Sequence, residues 1–337
     1  MLQKKTKYAV AVAGAAGLAG RELLEVLEER DFPFSDISLF DVEEAAGEHL
    51  EFQGKSRAVK KLEEGCFAGA DVVFFATDPS DANANAPAAV QSGAVVIDLS
   101  GAFREDPKVP LVVPEVNPQA CSGRNGIIAS PSPLTVAVST VLKPLHEAAA
   151  IKRIVLTVFE PVSGTGKRAM DELAQQTVAL LNFRDVEASV YPHQIAFNSL
   201  PQVGAFLENG ATRAEESIAL ETRKILGDAS IRVAATAVRV PVFRCLAAAM
   251  NIETAKPVTA NEVRALLSSR PDIVVYDDPD KNLYPTAIDV AGKDETYVGR
   301  IREDVSVPNG ICLWIVSDNL RRGIGLNAVR IAELLIA

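Results

Sequence analysis

The stretch at residues 8–27, YAVAVAGAAGLAGRELLEVL, constrains the fold of this chain more than any other. Residues 8–13 alternate β-branched and small apolar side chains, which predicts a buried strand, and residues 21–29 place leucines at helical spacing. Gly14, Gly17 and Gly20 lie between them at intervals of three. A glycine turn between a strand and a helix lets a phosphate approach the unpaired N–H groups of the first helical turn. The stretch is therefore a variant of the dinucleotide-binding fingerprint, with its first gap widened by one residue.

The same stretch has a second interpretation as a secretory signal, because Lys4, Lys5 and Lys7 precede an apolar run that ends in small residues. A charged helix follows without a cleavage spacer, and residues 72–76 soon supply another strand, so the cofactor-binding turn is favoured. No apolar run reaches the length of a membrane span. The net charge of −10, without a basic cluster, argues against nucleic acid or an anionic membrane surface as a partner.

The cysteines and histidines predict neither disulfides nor a metal site. The four cysteines form no C-x-x-C pair, and the three histidines lie on unrelated segments. We therefore expect no bound metal and a reducing, cytoplasmic location.

The first part of the chain alternates strands and helices. Strands are predicted at 36–41, 70–76 and 94–98, and an alanine-rich helix at 81–91. This order is typical of an α/β fold with a doubly wound parallel sheet of the Rossmann type, which binds ligands at the carboxyl ends of its strands.

Asp41 closes the second predicted strand and bears on the choice of cofactor. It lies somewhat past the position, about 20 residues beyond the glycines, where an acid accepts hydrogen bonds from the adenosine ribose. Glu43 and Glu44 follow it, and three carboxylates would repel a 2′-phosphate. The pattern favours NAD over NADP, and a solvated acidic turn is the alternative.

The residue pattern changes after Ser130, where long runs rich in β-branched residues begin. Strands are predicted at 151–159, 230–242 and 311–317, with helices at 167–181 and 215–226 between them. This pattern indicates a second domain of α+β type, built on a large mixed sheet.

A final helix is predicted at 320–336, folding back on the first domain. We therefore predict a Rossmann domain at residues 1–132 plus 319–337 and a second domain at residues 133–318.

Nine sequence blocks together resemble the successive blocks of the aspartate-semialdehyde dehydrogenase family, in order and at the family's spacing over nearly the full length. They are VAGAAGLAGRELL, VVIDLSGAFRED, PEVNP, IIASPSPLT, VSGTGKRAMDEL, YPHQIAFNSLPQ, ETRKIL, ATAVRVPVFRC and SDNLRRGIGLNAVRIAE. The resemblance implies an NAD(P)-binding Rossmann domain interrupted by a catalytic and dimerisation domain. It also implies a homodimer whose C-terminal helix returns to the first domain.

The family's reaction uses a cysteine thiolate that attacks the aldehyde and a histidine that moves the proton. In this chain the family's Asn-Pro-Asn-Cys block falls on residues 130–133, which places Pro133 at the position of the nucleophile. Counting seven residues from Arg239 places Leu246 at the position of the histidine. Neither side chain can attack or transfer a proton, and such losses typically cost about 10⁴ to 10⁶ in turnover. The resemblance thus implies a divergent, Usg-type homologue without an intact catalytic pair.

Four further positions matched to the family concern anions. Arg104 matches an arginine that holds phosphate and substrate, and Arg239 matches the one that clamps the substrate carboxylate. Glu160 stands in place of the active-site glutamine, and Ser217 in place of a phosphate-binding lysine. We predict a small anionic ligand at Arg104, Glu160 and Arg239. The alternatives are a salt bridge from Arg104 to the acidic residues after it and a buried pair of Arg239 with Glu160.

The predicted cofactor-binding residues combine the glycine turn with positions matched to the family. They are Gly14, Ala15, Ala16, Gly17, Leu18, Gly20, Asp41, Thr77 and Asn319. Beside Thr77, Pro79 replaces part of a glycine-rich turn of the family and can narrow the nicotinamide pocket.

Two functions remain open from the sequence. In the first, the protein binds a dinucleotide and dimerises without acyl-enzyme chemistry, acting as a sensor, partner or scaffold. In the second, it is an NAD(P)-dependent oxidoreductase that transfers hydride without a covalent intermediate or uses a substitute nucleophile. Ser132 and Cys245 adjoin the two replaced positions, but a serine needs a base, and no histidine lies near either block. The first function is favoured.

Overall fold

The computed structural model describes residues 4–121 and 126–337. Its contacts divide the chain into two compact units. The first runs to Val136 and resumes at Gly323–Ala337, and the second is Ala137–Arg322. The sequence analysis placed these boundaries at 132/133 and 318/319. The predicted fold class, a Rossmann-type sheet plus a second domain on a mixed sheet, is confirmed.

In its described residues, the first unit contains seven strands, two α-helices and the start of a third before the chain crosses to the second unit. They are β1 (Tyr8–Ala13), α1 (Leu18–Glu29), β2 (Phe34–Asp41), β3 (His49–Phe52), β4 (Lys55–Lys61), β5 (Val72–Phe75), α2 (Pro79–Gln91), β6 (Val95–Asp98), β7 (Ile127–Ala129) and the start of α3 (Pro133–Ala149). The sheet order is β3-β4-β2-β1-β5-β6-β7, and only the β3–β4 pair is antiparallel. The central parallel strands β1, β5 and β6 are mostly apolar because both faces are covered.

The β3–β4 hairpin was missed by the sequence analysis. Both strands are short and carry charged side chains on their exposed face, as Glu51 and Lys55 illustrate. Leu50, Phe52 and Val59 are their buried residues. Such a sparse alternation is a weak signal for a strand at the edge of a sheet.

The second unit contains a six-stranded mixed sheet with helices between its strands. Its elements are β8 (Ile151–Glu160), α4 (Lys167–Leu181), α5 (Arg213–Leu226), β9 (Arg232–Arg239), β10 (Leu246–Thr254), α6 (Ala260–Ser268), β11 (Ile273–Val275), α7 (Ala287–Val290), β12 (Thr296–Asp304) and β13 (Gly310–Ser317). The order is β11-β12-β13-β10-β8-β9. Strands β10 and β12 were also missed by the sequence analysis. The predicted strand at 230–242 is shorter, since the chain leaves the sheet after Arg239 and Pro241 cannot donate to a ladder.

The sequence analysis predicted one regular helix for the C-terminal segment, and the structure differs from this prediction. Arg321–Leu326 forms a π-helix, and α8 (Asn327–Ile336) continues from it. A Cβ at Gly323 would lie 2.4 Å from Cβ of Pro133, so only glycine permits this approach. Within the first unit α8 packs against α1, and Arg30 pairs with Glu333 at 2.7 Å.

Among the described residues, no helix combines the length and the apolar character that crossing a membrane requires.

Candidate functional site

The glycine turn lies at the carboxyl end of β1, where two of its glycines are required by packing. Gly14 has a φ of +81°, and a Cβ there would lie 2.4 Å from the carbonyl oxygen of Ala76. A Cβ at Gly20 would lie 2.2 Å from the carbonyl oxygen of Gly14. These two glycines therefore let the turn pack against the end of β5 and against the first turn of α1.

Gly17 is different, because packing does not require a glycine at this position. Its φ is −70°, and a Cβ would meet only the carbonyl oxygen of Gly14 at 3.5 Å, an ordinary contact. Gly17 precedes α1 as its N-cap and offers no side-chain cap to the helix. The first N–H groups of a helix have no intrahelical partners, so a glycine here leaves room for an acceptor from outside the helix.

Asp41 is buried at the end of β2, and its carboxylate holds the turn. Oδ2 accepts a hydrogen bond from the Ala16 N–H at 2.8 Å, and Oδ1 accepts one from the Val42 N–H at 2.8 Å. Only 8% of Asp41 is exposed, so the alternative of a solvated acidic turn is wrong for this residue. The structure thus places Asp41 beside the glycine turn, with both carboxylate oxygens on backbone N–H groups.

The other two carboxylates of this region remain at the surface. Glu43 pairs with Lys61 at 2.8 Å, and this hydrogen bond lowers the pKa of Glu43. Lys61 therefore offsets one of the three negative charges on which the sequence argument against a 2′-phosphate relied.

Thr77 and Pro79 lie where β5 leads into α2. The hydroxyl of Thr77 donates to the carbonyl of Asp78 at 3.2 Å, and Pro79 occupies the first helical position. A Cβ at Gly14 would lie 2.9 Å from the backbone nitrogen of Thr77, so Thr77 borders the glycine turn.

Arg104 is fixed by backbone carbonyls at the ends of two strands. Its Nε donates to the Ser130 carbonyl at 2.9 Å and its Nη2 to the Leu99 carbonyl at 3.0 Å. Buried Asp98 orders the preceding loop by accepting hydrogen bonds from the N–H and hydroxyl of Ser100. The guanidinium therefore lies at the carboxyl edge of β6 and β7, where a Rossmann sheet binds ligands.

Pro133 is the first residue of α3, and Ser132 caps that helix. The Ser132 hydroxyl lies 2.8 Å from the Thr135 hydroxyl and accepts from the Thr135 N–H at 3.2 Å. Proline suits the first helical position because the N–H that it lacks has no partner there. Ser132 thus has a structural role as an N-cap.

Leu246 and Cys245 lie at the start of β10, and both are buried. The Cys245 N–H donates to Oδ1 of Asn319 at 3.0 Å, and Nδ2 of Asn319 donates to the Ser163 hydroxyl at 3.0 Å. Burial, and to a lesser degree the charge of Asp318, raise the pKa of the Cys245 thiol to about 12.

Asn319 was predicted as a cofactor-binding residue of the first domain, but its contacts place it in the second unit. There it links β10 to Ser163, a residue that sequence reasoning did not select. The VSGTG block was the available signal for Ser163, since small residues in sequence often mark a close approach.

Glu160 and Arg239 meet at the ends of neighbouring strands β8 and β9, which pair in register. Nη1 of Arg239 lies 3.7 Å from Oε2 of Glu160 and also donates to the Pro161 carbonyl. The Arg239 side chain is 6% exposed and that of Glu160 is 17% exposed. The predicted alternative of a buried pair describes this geometry. Ser217 lies separately on α5 and is half-buried.

The structure therefore assembles two sets of predicted residues. The first unit contains the glycine turn with Asp41 and Thr77, and Arg104 on the same sheet edge. The second unit contains Glu160 with Arg239, and Asn319 with Cys245. Among residues 4–121 and 126–337, no group of three or more histidine, cysteine or acidic side chains is arranged to hold a metal ion.

A Rossmann unit with an acid at the end of its second strand, together with a unit built on a large mixed sheet, is an architecture found in two-domain nucleotide-dependent dehydrogenases. Residues 9–123 match the model of the semialdehyde dehydrogenase NAD-binding domain, and residues 142–322 match that of the semialdehyde dehydrogenase dimerisation domain. The chain therefore belongs to the semialdehyde dehydrogenase family.

Individual relatives are similar to this chain over nearly its full length. The chain is 44% identical to an aspartate-semialdehyde dehydrogenase of Aquifex aeolicus over 333 residues, covering 98% of each. It is also similar to the crystal structure of aspartate semialdehyde dehydrogenase II from Vibrio cholerae complexed with ASA, with a TM-score of 0.95 and 41% identity. That comparison covers 98% of this chain and 99% of the other. A probable aspartate-semialdehyde dehydrogenase of Pseudomonas aeruginosa has a TM-score of 0.93 at 36% identity, covering 98% of each chain.

Proposed function

We propose that this protein is a dinucleotide-binding, dimeric member of the family that does not form an acyl-enzyme. The observation that carries the proposal is the pair of residues at the matched catalytic positions. Pro133 begins α3, and Leu246 begins β10 with its side chain fully buried. Neither has an atom that can attack a carbonyl or accept a proton.

The neighbouring candidates for a substitute nucleophile are poorly placed for that role. The Ser132 hydroxyl caps α3, where its oxygen accepts from the Thr135 N–H. Cys245 has a buried thiol whose raised pKa, about 12, keeps it protonated near neutral pH. Because the thiolate is the nucleophilic form of cysteine, Cys245 is inert under these conditions.

For the cofactor, we propose NAD rather than NADP. Buried Asp41 closes β2 and contacts the glycine turn through Ala16, which is where a Rossmann sheet places the adenosine ribose. A carboxylate there accepts hydrogen bonds from the ribose hydroxyls and repels a 2′-phosphate. Gly17 leaves room for the pyrophosphate beside the start of α1. Thr77, which borders the glycine turn, is the proposed contact toward the nicotinamide.

The homodimer is proposed to form through the open face of the second sheet. Phe159 and Trp314 lie there with ring centroids 5.6 Å apart, beside a groove of about 570 Å³ that Ala247 and Ala249 also line. Ala249 is exposed on this face. An Ala249→Arg variant is expected to sediment as a monomer, whereas the unchanged chain sediments as a dimer.

For the location, we propose the cytoplasm, because the four free cysteines suit a reducing compartment.

The test of the proposed function is an assay of NAD or NADP reduction with aspartate semialdehyde and phosphate. We expect no turnover above that of the heat-denatured protein, while calorimetry detects NAD binding. Turnover that is lost in Ser132→Ala or Cys245→Ala would refute the proposal. A double variant, Pro133→Cys with Leu246→His, adds a positive control, since any turnover it gains shows that the remaining site is competent.

A further inference from the structure

The buried pair of Arg239 and Glu160 is incomplete as an ion pair. The oxygen of Glu160 stands 3.7 Å from Nη1 of Arg239, which is longer than a hydrogen bond. Nη1 donates instead to the Pro161 carbonyl, and Nε is buried without a hydrogen-bond partner. A guanidinium with 94% of its side chain covered is thus left with donors that its carboxylate neighbour does not satisfy.

An exposed glycine lies directly above this pair. A Cβ at Gly164 would lie 2.9 Å from Nη1 of Arg239 and 3.4 Å from Oε2 of Glu160. Gly164 itself is exposed to solvent. The absence of a side chain there leaves a short path from solvent to both charged groups.

The other titratable groups around the pair come from two helices, a loop and the ends of two strands. Glu172 of α4 and Tyr191 of the loop after α4 share the electrostatic neighbourhood of Arg239 and Glu160. Helix α5 packs on β9 and contributes Glu215, whose carboxylate accepts from the Ala237 N–H, and buried Glu221. At the start of β10 and the end of β13, Arg244 and Asp318 pair with each other at 2.6 Å.

An apolar side chain, Leu246, is one of the neighbours of Glu160. The strand register pairs Ala247 with Phe159, so Leu246 lies beside Glu160 one residue further along. Burial raises the pKa of Glu160, and the charge of Arg239 opposes that rise. Leu246 therefore contributes to an environment that favours the protonated acid.

We propose that a small carboxylate binds Arg239 only together with a proton on Glu160, so that this unit contains a proton-linked anion site. While Glu160 is ionised, it neutralises Arg239, and a second carboxylate would leave the buried site with a net negative charge. Taking up one proton from water converts Glu160 to a neutral acid and leaves the charge of Arg239 for the ligand. The proposal is independent of the loss of acyl-enzyme chemistry, and it takes Arg239 as the anion-binding residue that the family resemblance implies.

The sign of the pH dependence follows from linkage. A bound carboxylate disfavours the ionised form of Glu160, so the pKa of Glu160 is higher in the complex than in the free protein. Binding then takes up a proton, and the affinity falls about tenfold for each pH unit between these two pKa values.

The experiment is isothermal calorimetry with succinate as the probe, on the full chain, from about pH 5 to pH 9. Repeating each titration in two buffers of different ionisation enthalpy counts the protons taken up. We expect one proton per succinate where the affinity falls with pH. Glu160→Gln, which keeps the shape but removes the charge, is expected to bind at about pH 8 at least tenfold more tightly than the unchanged chain, without proton uptake.

Two further variants complete the test. Arg239→Met is expected to abolish binding, and Glu253→Gln, which changes a carboxylate paired with Arg153 on the same sheet, is expected to retain the pH dependence. Binding of succinate without proton uptake, an unchanged slope in Glu160→Gln, binding that survives Arg239→Met, or no binding by either chain at any pH would each overturn the proposal. Turnover of aspartate semialdehyde would refute the proposed function but would not alter these titrations.

Discussion

Replacing each glycine of the turn by alanine separates the packing role of the turn from its binding role. In Gly14→Ala, a φ of +81° costs a side-chain-bearing residue about 1–2 kcal/mol. The new methyl would also stand 2.4 Å from the Ala76 carbonyl oxygen, where ordinary contacts begin near about 3.5 Å. Because that oxygen belongs to the backbone, β1 and β5 must shift apart. We expect a total loss of about 2–4 kcal/mol in the free energy of unfolding.

Gly17→Ala is the matched control for this loss. Its backbone is in the extended region and its Cβ has room at 3.5 Å, so the free energy of unfolding is expected to change by less than about 0.5 kcal/mol. NAD affinity in Gly17→Ala is expected to fall at least tenfold, because the methyl covers the start of α1. Urea unfolding and calorimetry measure the two quantities. Equal stabilities for Gly14→Ala and Gly17→Ala would refute the reasoning about packing, and unchanged NAD binding in Gly17→Ala would refute the reasoning about binding.

Three further predictions concern single side chains. Ser132→Ala removes the cap of α3 and is expected to lower the free energy of unfolding by about 1 kcal/mol, as urea unfolding would show, without changing NAD affinity. Asp41→Asn keeps the backbone contacts in part but loses the negative charge, so the ratio of NADP to NAD affinity measured by calorimetry is expected to rise; a constant ratio would contradict the ribose assignment. The Cys245 thiol has a higher pKa in the folded chain, about 12, than its ordinary value of 9.0, so its contribution to stability is present below pH 9 and is lost as pH rises toward 12. Cys245→Ala is expected to reduce that alkaline loss of stability, and iodoacetamide should alkylate Cys245 in the native chain at neutral pH far more slowly than in urea.

The parts of the fold that the sequence predicted are those where local pattern and burial agree. The run at 72–75 is apolar throughout, and the leucines of α1 share one face, so these elements are visible without tertiary information. Strand β10 reads LAAAMNIET, in which three alanines resemble a helix, and only pairing with β8 and β13 makes it a central strand. The π-helix at Arg321–Leu326 contains Gly323, which packs on Pro133. These two residues are distant in sequence, so local pattern could not reveal the contact.

In the candidate site, too, some features could be predicted from local sequence and others required the structure. Gly14 and Asp41 were found because their role is written in a local motif, although the sequence could not show that Asp41 is buried or that Lys61 pairs with Glu43. The incompleteness of the Arg239–Glu160 pair is a matter of distance between two strands. No residue pattern records such a distance, so this feature required the structure.

The proposed function matches positions 133 and 246 to the family's catalytic pair, and the residues that occupy them, Pro133 and Leu246, both suit their local structure. A helix begins at Pro133, and the first helical position is where a missing N–H and a fixed φ cost least. A strand begins at Leu246, whose side chain is fully buried and so gains from being apolar. Glu160 lies beside Leu246 on the neighbouring strand β8. Under the proposed function Leu246 takes the place of a base, and the pH dependence of anion binding is the property in which its effect on the neighbouring carboxyl should be measurable.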